Sequence, residues 1–172
     1  MNINFFLVLI FSGLGLIYVL FKPMDLKQQE FKDVPLFKIN DFTLYELNTK
    51  ELFTLMKGSQ AIRYADRYDV NTINYTDSSK DYIANMLANN GIYKNEIVTL
   101  KGDVVYTRED GLTFETQTLL YNKSKATAYA ENAFVAYKDQ DRVTGTTLQY
   151  NNIKNSASAK HVKALYNLEE GK

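Results

Sequence analysis

The chain has 172 residues, with 20 Lys+Arg against 20 Asp+Glu and a single histidine. A zero net charge gives no broad attraction to polyanions, so nucleic acid is not expected as a partner, and the length suits one domain with an appendage. Cysteine is absent, which removes disulfides, thiolate catalysis, cysteine-based metal sites and lipoprotein acylation together. Thirteen tyrosines and ten phenylalanines beside only two prolines suit a pleated sheet, on which aromatic rings pack well.

Residues 3–21 carry no charge, and only Asn4 and Ser12 interrupt the apolar run. At ~1.5 Å per residue such a run spans roughly the ~30 Å of a hydrocarbon core, so residues 1–21 are expected to form a transmembrane anchor. A cleaved signal peptide needs a basic start and a small-x-small site. Met1-Asn2 and Leu20-Phe21-Lys22-Pro23 supply neither, and the anchor is expected to stay attached. Val8, Ser12, Gly15 and Val19 share one helical face, and small residues there let a second helix approach closely. An ordinary lone anchor also carries glycine and serine, so both readings of that face stand. Lys22 and Lys27 follow the run and no basic residue precedes it; by the positive-inside rule this leans towards a cytoplasmic domain. Residues 22–35 read as a linker ending at Asp33-Val34-Pro35.

Beyond the linker the pattern is strand after strand. Strand-like runs follow at 36–47, 51–56, 61–68 and 70–75, the second closed by Lys57-Gly58, and Asp77-Ser78-Ser79-Lys80 is a turn. Tyr82, Ala84, Met86 and Ala88 alternate up to Asn89-Asn90-Gly91, which reads as a hairpin. In residues 96–150, Val98, Leu100, Val104 and Tyr106 share one parity. Arg108-Glu109-Asp110-Gly111 turns the chain into Leu112, Phe114 and Thr116, and later runs carry Ala126, Ala128, Ala130, Val135, Tyr137, Leu148 and Tyr150. Four or five strands in this stretch mean an antiparallel sheet. Leu119-Leu120-Tyr121-Asn122 recurs as Leu148-Gln149-Tyr150-Asn151, with Thr116 and Gly145 five residues before the tyrosines, which suggests one unit laid down twice. Residues 156–168 read as a last edge strand, so the β domain covers 36–168.

Catalytic chemistry finds little to use. His161 stands alone between Lys160 and Val162 and is expected to be a solvated side chain rather than a ligand or base. Asp66, Asp69, Asp77 and Asp81 are the one local crowd of carboxylates; their spacing does not match a calcium loop, and aspartate is at home in turns. There is no Gly-x-Ser-x-Gly and no phosphate-binding glycine loop, so neither an enzyme nor a cofactor is expected. Both strand faces are partly apolar, which fits either a filled sandwich core or a greasy interior.

The order of Asn90-Gly91-Ile92-Tyr93, Val98-Thr99-Leu100-Lys101-Gly102-Asp103-Val104, Gly111-Leu112, Leu119-x-Tyr121 and Gly145-Thr146-Thr147-Leu148-Gln149-Tyr150, behind an anchor and a linker, resembles the LptC family of lipopolysaccharide export. The resemblance implies a single-pass inner-membrane protein whose periplasmic domain is a twisted, open antiparallel β-jellyroll, and it overrides the charge rule on orientation. It further implies that lipid A acyl chains arrive from the inner-membrane ABC transporter LptBFG and leave to the periplasmic bridge protein LptA, with no cofactor. The larger residues of the alternating runs, Leu100, Val104, Tyr106, Leu112, Phe114 and Leu148, are then expected to line the groove. The C-terminal edge that pairs with the bridge maps to 145–165, with Gly145, Leu148, Tyr150, Ala157 and Ala159 as candidates. The face Val8, Ser12, Gly15, Val19 is expected to pack on transporter helices. Two other readings remain: a tethered β-sandwich adaptor without lipid cargo, and an anchored enzyme using the Asp66 to Asp81 carboxylates.

Overall fold

The computed structural model describes residues 3–20, 33–47, 52–79 and 81–167; the linker positions 21–32 and the side chains of Val8 and Val19 lie outside the described residues. The chain divides into two units, residues 1–31 and 32–172. The first contains one helix, α1 (Ile3–Leu20), of 18 residues. At ~1.5 Å per residue α1 is about 27 Å long, short of a typical ~30 Å hydrocarbon core. Among the described residues no helix is long and apolar enough to cross a membrane. The segment expected to be a transmembrane anchor is thus a helix, and as a described helix it falls short of a span. Phe11, Leu14, Ile17, Tyr18 and Leu20 are all exposed, so the helix is apolar around its circumference rather than along one stripe, the pattern of a helix that lacks its own protein core.

The second unit is a nine-stranded antiparallel sheet: β1 (Phe37–Leu47), β2 (Leu52–Arg63), β3 (Tyr68–Asp77), β4 (Ala84–Lys94), β5 (Ile97–Arg108), β6 (Thr113–Asn122), β7 (Thr127–Lys138), β8 (Asp141–Asn151) and β9 (Ser156–Leu165). Strand order is the sequence order from β1 to β9, so among the described residues β1 and β9 are open edges. The all-β antiparallel expectation holds, and the open sheet is consistent with a jellyroll or sandwich.

Two expected turns are instead mid-strand. β2 runs through Lys57-Gly58, and β4 runs through Asn89-Asn90-Gly91; the connections fall at 64–67 and at Asn95-Glu96, and in the second Asn95 and Glu96 take positive φ. Gly58 sits opposite Phe42 and Gly145 sits opposite Phe134. A Cβ at Gly58 would lie 2.6 Å from the Phe42 ring, and one at Gly145 would lie 2.9 Å from the Phe134 ring. Each glycine is bare so that the cross-strand ring can lie over it, a packing device for bent sheets rather than a turn signal.

The bend has a second source. Asp41, Thr72, Asp103, Thr147 and His161 take positive φ inside strands, and the pairing registers shift near the middle of β4 to β9. Such bulges add a residue, kink the strand and reset which parity faces inward. Ala88 and Gly91 are both buried, as are Thr116 and Leu119, although residues three apart face opposite ways in an unbroken strand. Asp103 is held at its bulge by Asn89 (3.0 Å) and Gln117 (3.2 Å) from the flanking strands, which also keep its carboxyl below the usual range.

The core is narrow. Ile73, Ala88, Leu100, Val104, Leu119 and Ala130 form it, all from β3 to β7, with Val70, Tyr75, Met86, Val98, Phe114, Ala128 and Leu148 packed against it. Val104 is the one large side chain with no exposure among the described residues.

Candidate functional site

The registers place one apolar residue of every strand in a single row: Leu44, Met56, Tyr75, Met86, Tyr106, Phe114, Ala136, Val143 and Ala164. It crosses the strands and runs from one open edge to the other, about 38 Å at ~4.8 Å per strand. None of the nine is fully buried. Phe114 stacks on Phe134 with centroids 5.8 Å apart. Burial lifts the Tyr106 hydroxyl to about 12, helped by its neighbour Tyr82, so at physiological pH it stays neutral.

The six sequence candidates divide around this row. Tyr106 and Phe114 belong to it. Leu100 and Val104 lie on the same inner face but are already covered by protein, at 7% and 0% exposure. Leu148 packs half-buried against that core. Leu112 lies in the β5–β6 hairpin just before β6, its carbonyl bonded to the Arg108 N–H (2.9 Å). Lys101 is exposed, so the parity chosen for inward residues in β5 agrees with burial. Neither of the two surface depressions, one lined by residues of 63–68 and 93–95 and the other by residues of β1 to β3, includes any of the six. Sequence reasoning missed Met56, Tyr75, Met86, Ala136 and Val143, because only the register shows that they fall in line.

The edge candidates need a correction. β8 is paired on both sides, with β7 and β9, so Gly145, Leu148 and Tyr150 are not on an edge. A side chain at Gly145 would press on the Phe134 ring and on the Lys160 carbonyl oxygen at 3.0 Å. The free C-terminal edge is β9, where Ala157 is exposed and Ala159 half-buried, and every other residue of the strand is exposed. β1 is nearly as bare. On α1, Ser12 is exposed, and a Cβ on Gly15 would meet nothing within 4 Å.

The repeat found in the sequence is structural. Thr116 and Gly145 are both buried, and β6 and β8 both end at an asparagine whose side chain closes the next turn: Asn122 Oδ1 accepts from the Lys125 N–H (2.9 Å) and Asn151 Oδ1 from the Lys154 N–H (2.8 Å).

The acidic crowd does not converge. Asp66 and Asp69 flank Arg67, which also reaches Asp33 at 3.0 Å, while Asp77 and Asp81 lie at the opposite end of β3. Lys94 bonds Asp66 at 2.6 Å and, with Arg67, keeps that carboxyl below the usual range. Arg67 also lies 3.9 Å over the Tyr64 ring. This is an ionic clasp between residue 33 and the β2–β3 turn, and the four carboxylates do not share one site. Among the described residues no group of three or more potential ligands could hold a metal. His161 is exposed and shares a 3.0 Å hydrogen bond with Thr146 Oγ1.

No curated protein matches the chain. A sequence-family comparison matches residues 6–167 to "Lipopolysaccharide-assembly, LptC-related", a family of lipopolysaccharide transport components rather than of enzymes. The match leaves out only five residues at each end, and this chain therefore belongs to the LptC-related family of lipopolysaccharide-assembly proteins.

Proposed function

We propose that the domain passes lipopolysaccharide from an inner-membrane ABC transporter to a periplasmic bridge protein, carrying its acyl chains along the inner face of the folded sheet. The observation that carries this reading is the apolar row from Leu44 to Ala164, which is continuous through all nine strands and opens at both edges. Burial of each CH₂ is worth about 0.8 kcal/mol, so such a surface holds acyl chains by area alone, and no catalytic group is required.

The two edges take the partners. An unpaired strand is a template for a further strand; β9 receives the bridge protein, and β1 with the face Val8, Ser12, Gly15, Val19 serves the transporter side. The uncharged residues 3–21 tether the domain to the inner membrane with the domain in the periplasm. A shortfall of a few Å is within what a bilayer accommodates by local thinning.

Lipid content tests the reading. Full-length chain extracted from cells in mild detergent carries lipid A by mass spectrometry. A variant that interrupts the row at two half-exposed sites, Met86→Gln with Val143→Thr, carries several-fold less while keeping its melting transition. Lipid-free wild-type protein contradicts transfer. That outcome favours the tethered adaptor, a reading that draws on the protein-filled centre at Leu100 and Val104.

A further inference from the structure

The inner face carries a second row besides the apolar one. The registers set Tyr68, Tyr93, Tyr121 and Tyr150 in one line across the strands, beginning at Arg63 on β2. Val98 and Ala128 share this line and pack against the buried core, as do Tyr75, Met86 and Phe114 of the apolar row. Cross-strand partners point to one side of a sheet, so both rows belong to the same face and cross it in the same direction.

The tyrosine row starts in a depression of about 280 Å³ lined by residues of 63–68 and 93–95. The Tyr68 and Tyr93 rings lie there with centroids 6.3 Å apart. The Arg63 guanidinium rests 5.4 Å from the centre of the Tyr68 ring, and the Lys123 ammonium, from the β6–β7 turn, 5.4 Å from that of Tyr93. Both cations are exposed, and neither forms an ion pair among the described residues. A ring face holds an exposed cation only weakly, so both are available to an incoming oxyanion. Asp66 is bound by Lys94 and Arg67, and Glu96 accepts from the Tyr93 hydroxyl at 2.8 Å; a carboxylate has about four acceptor sites, which leaves room for further hydroxyl donors. At the opposite, acidic end of the strands, which carries Asp77, Asp81, Glu109 and Asp139, the cations Arg108 and Lys138 are both taken by Asp110.

Ring faces, uncommitted cations and carboxylate acceptors together match a phosphorylated sugar. The rings cover its apolar C–H surface, the carboxylates accept from its hydroxyls, and Arg and Lys bind its phosphate oxygens. We propose that this depression is a headgroup subsite for a phosphorylated saccharide, with Tyr68 and Tyr93 against the sugar and Arg63 and Lys123 on the phosphate. The proposal deepens the transfer reading and rests on it: the acyl chains follow the apolar row while the saccharide is held here. Tyr121 and Tyr150 continue the tyrosine row towards β8, in the direction of passage.

The test offers purified full-length chain in mild detergent an equimolar mixture of bisphosphorylated lipid A and its dephosphorylated form. The bound ratio is read by mass spectrometry against detergent alone. Wild type is expected to enrich the phosphorylated form about tenfold. Arg63→Gln with Lys123→Gln is expected to bring the ratio close to one with an unchanged melt. Lys101→Gln with Arg142→Gln, which removes the same charges from exposed sites elsewhere, is expected to leave the ratio as in wild type. The acyl-free glucosamine disaccharide bisphosphate is expected to compete the enrichment away, and inorganic phosphate at equal concentration to leave it in place. Bound lipid A without preference for the phosphorylated form, equal loss in the two double variants, failure of the acyl-free disaccharide to compete, or equal competition by inorganic phosphate overturns the subsite alone. Chain that binds neither form of lipid A overturns the transfer reading, and the subsite with it.

Discussion

The middle and the margins of this sheet are different materials. β3 to β7 supply every member of the buried apolar cluster, whereas in β1 and β9 all but one residue of each strand are exposed. A chain that buries so little at its margins stores its stability in a few central side chains and leaves two long strands nearly free of cost to perturb. Those margins are what a partner can use, since strand addition draws on backbone groups rather than on a packed surface.

The comparison breaks first at its centre. Val104→Asp places a carboxylate where nothing is exposed, at a cost of about 4 kcal/mol or more. The expected outcome is loss of the cooperative melt. Survival of a near-normal melt would mean the centre is not what holds the sheet.

Next in size is Gly145→Arg, which drives a side chain into the Phe134 ring and the Lys160 carbonyl. Overpacking of this kind costs about 1–3 kcal/mol. Chemical denaturation is expected to show that loss, making the change a lesion of the fold and no clean probe of bridge binding.

A sharper probe lies on β9. Of two successive residues in an edge strand, one N–H faces the neighbouring strand and the other faces outward. Ala157→Pro and Ser158→Pro, in a stretch that pairs with β8 without a register shift, therefore separate the two roles. One variant loses a ladder bond and melts lower; the other stays within about 1 kcal/mol of wild type and fails to capture the bridge protein in a pull-down. Equal effects of the two on stability and on capture would count against strand addition.

Much of this was legible in the sequence, and the failures have a common cause. Period two found β5 to β8, the turn at Arg108 to Gly111 and the last edge strand, because local alternation and turn residues are enough for that. It misread Gly58 and Asn89-Asn90-Gly91 as turns, since a glycine under a cross-strand phenylalanine and an asparagine beside a bulge look the same as hairpin residues along the chain. The parity slip at the bulges also hid the partners of Tyr106 and Phe114. Met86 and Ala136 meet them only through register, which is set by the whole sheet. The β9 edge was legible as far as the final strand, but Gly145 was assigned to it because its strand neighbour on the far side cannot be seen from composition.

The smallest expected effect is a pH dependence at the acidic end. Arg108 first, and Lys138 with it, hold the Asp110 carboxyl below its ordinary value. A depressed carboxylate contributes stability above its unfolded pKa of about 3.9 and loses it as pH falls through the lower folded value. The melting-temperature gap between wild type and Asp110→Asn is therefore expected to be constant at neutral and mildly acid pH and to close below about pH 4. A gap independent of pH would show that packing, not charge, is responsible.

The central claim is that lipid travels on the inner face along the apolar row. Its most direct test is photocrosslinking in living cells from positions 86, 114 and 143 on that row and from position 101 on the outer face, each probed for lipopolysaccharide. Adducts from Met86, Phe114 and Val143, with none from Lys101, are the predicted result. Adducts from Lys101 at a comparable level, or none from the row, would contradict it.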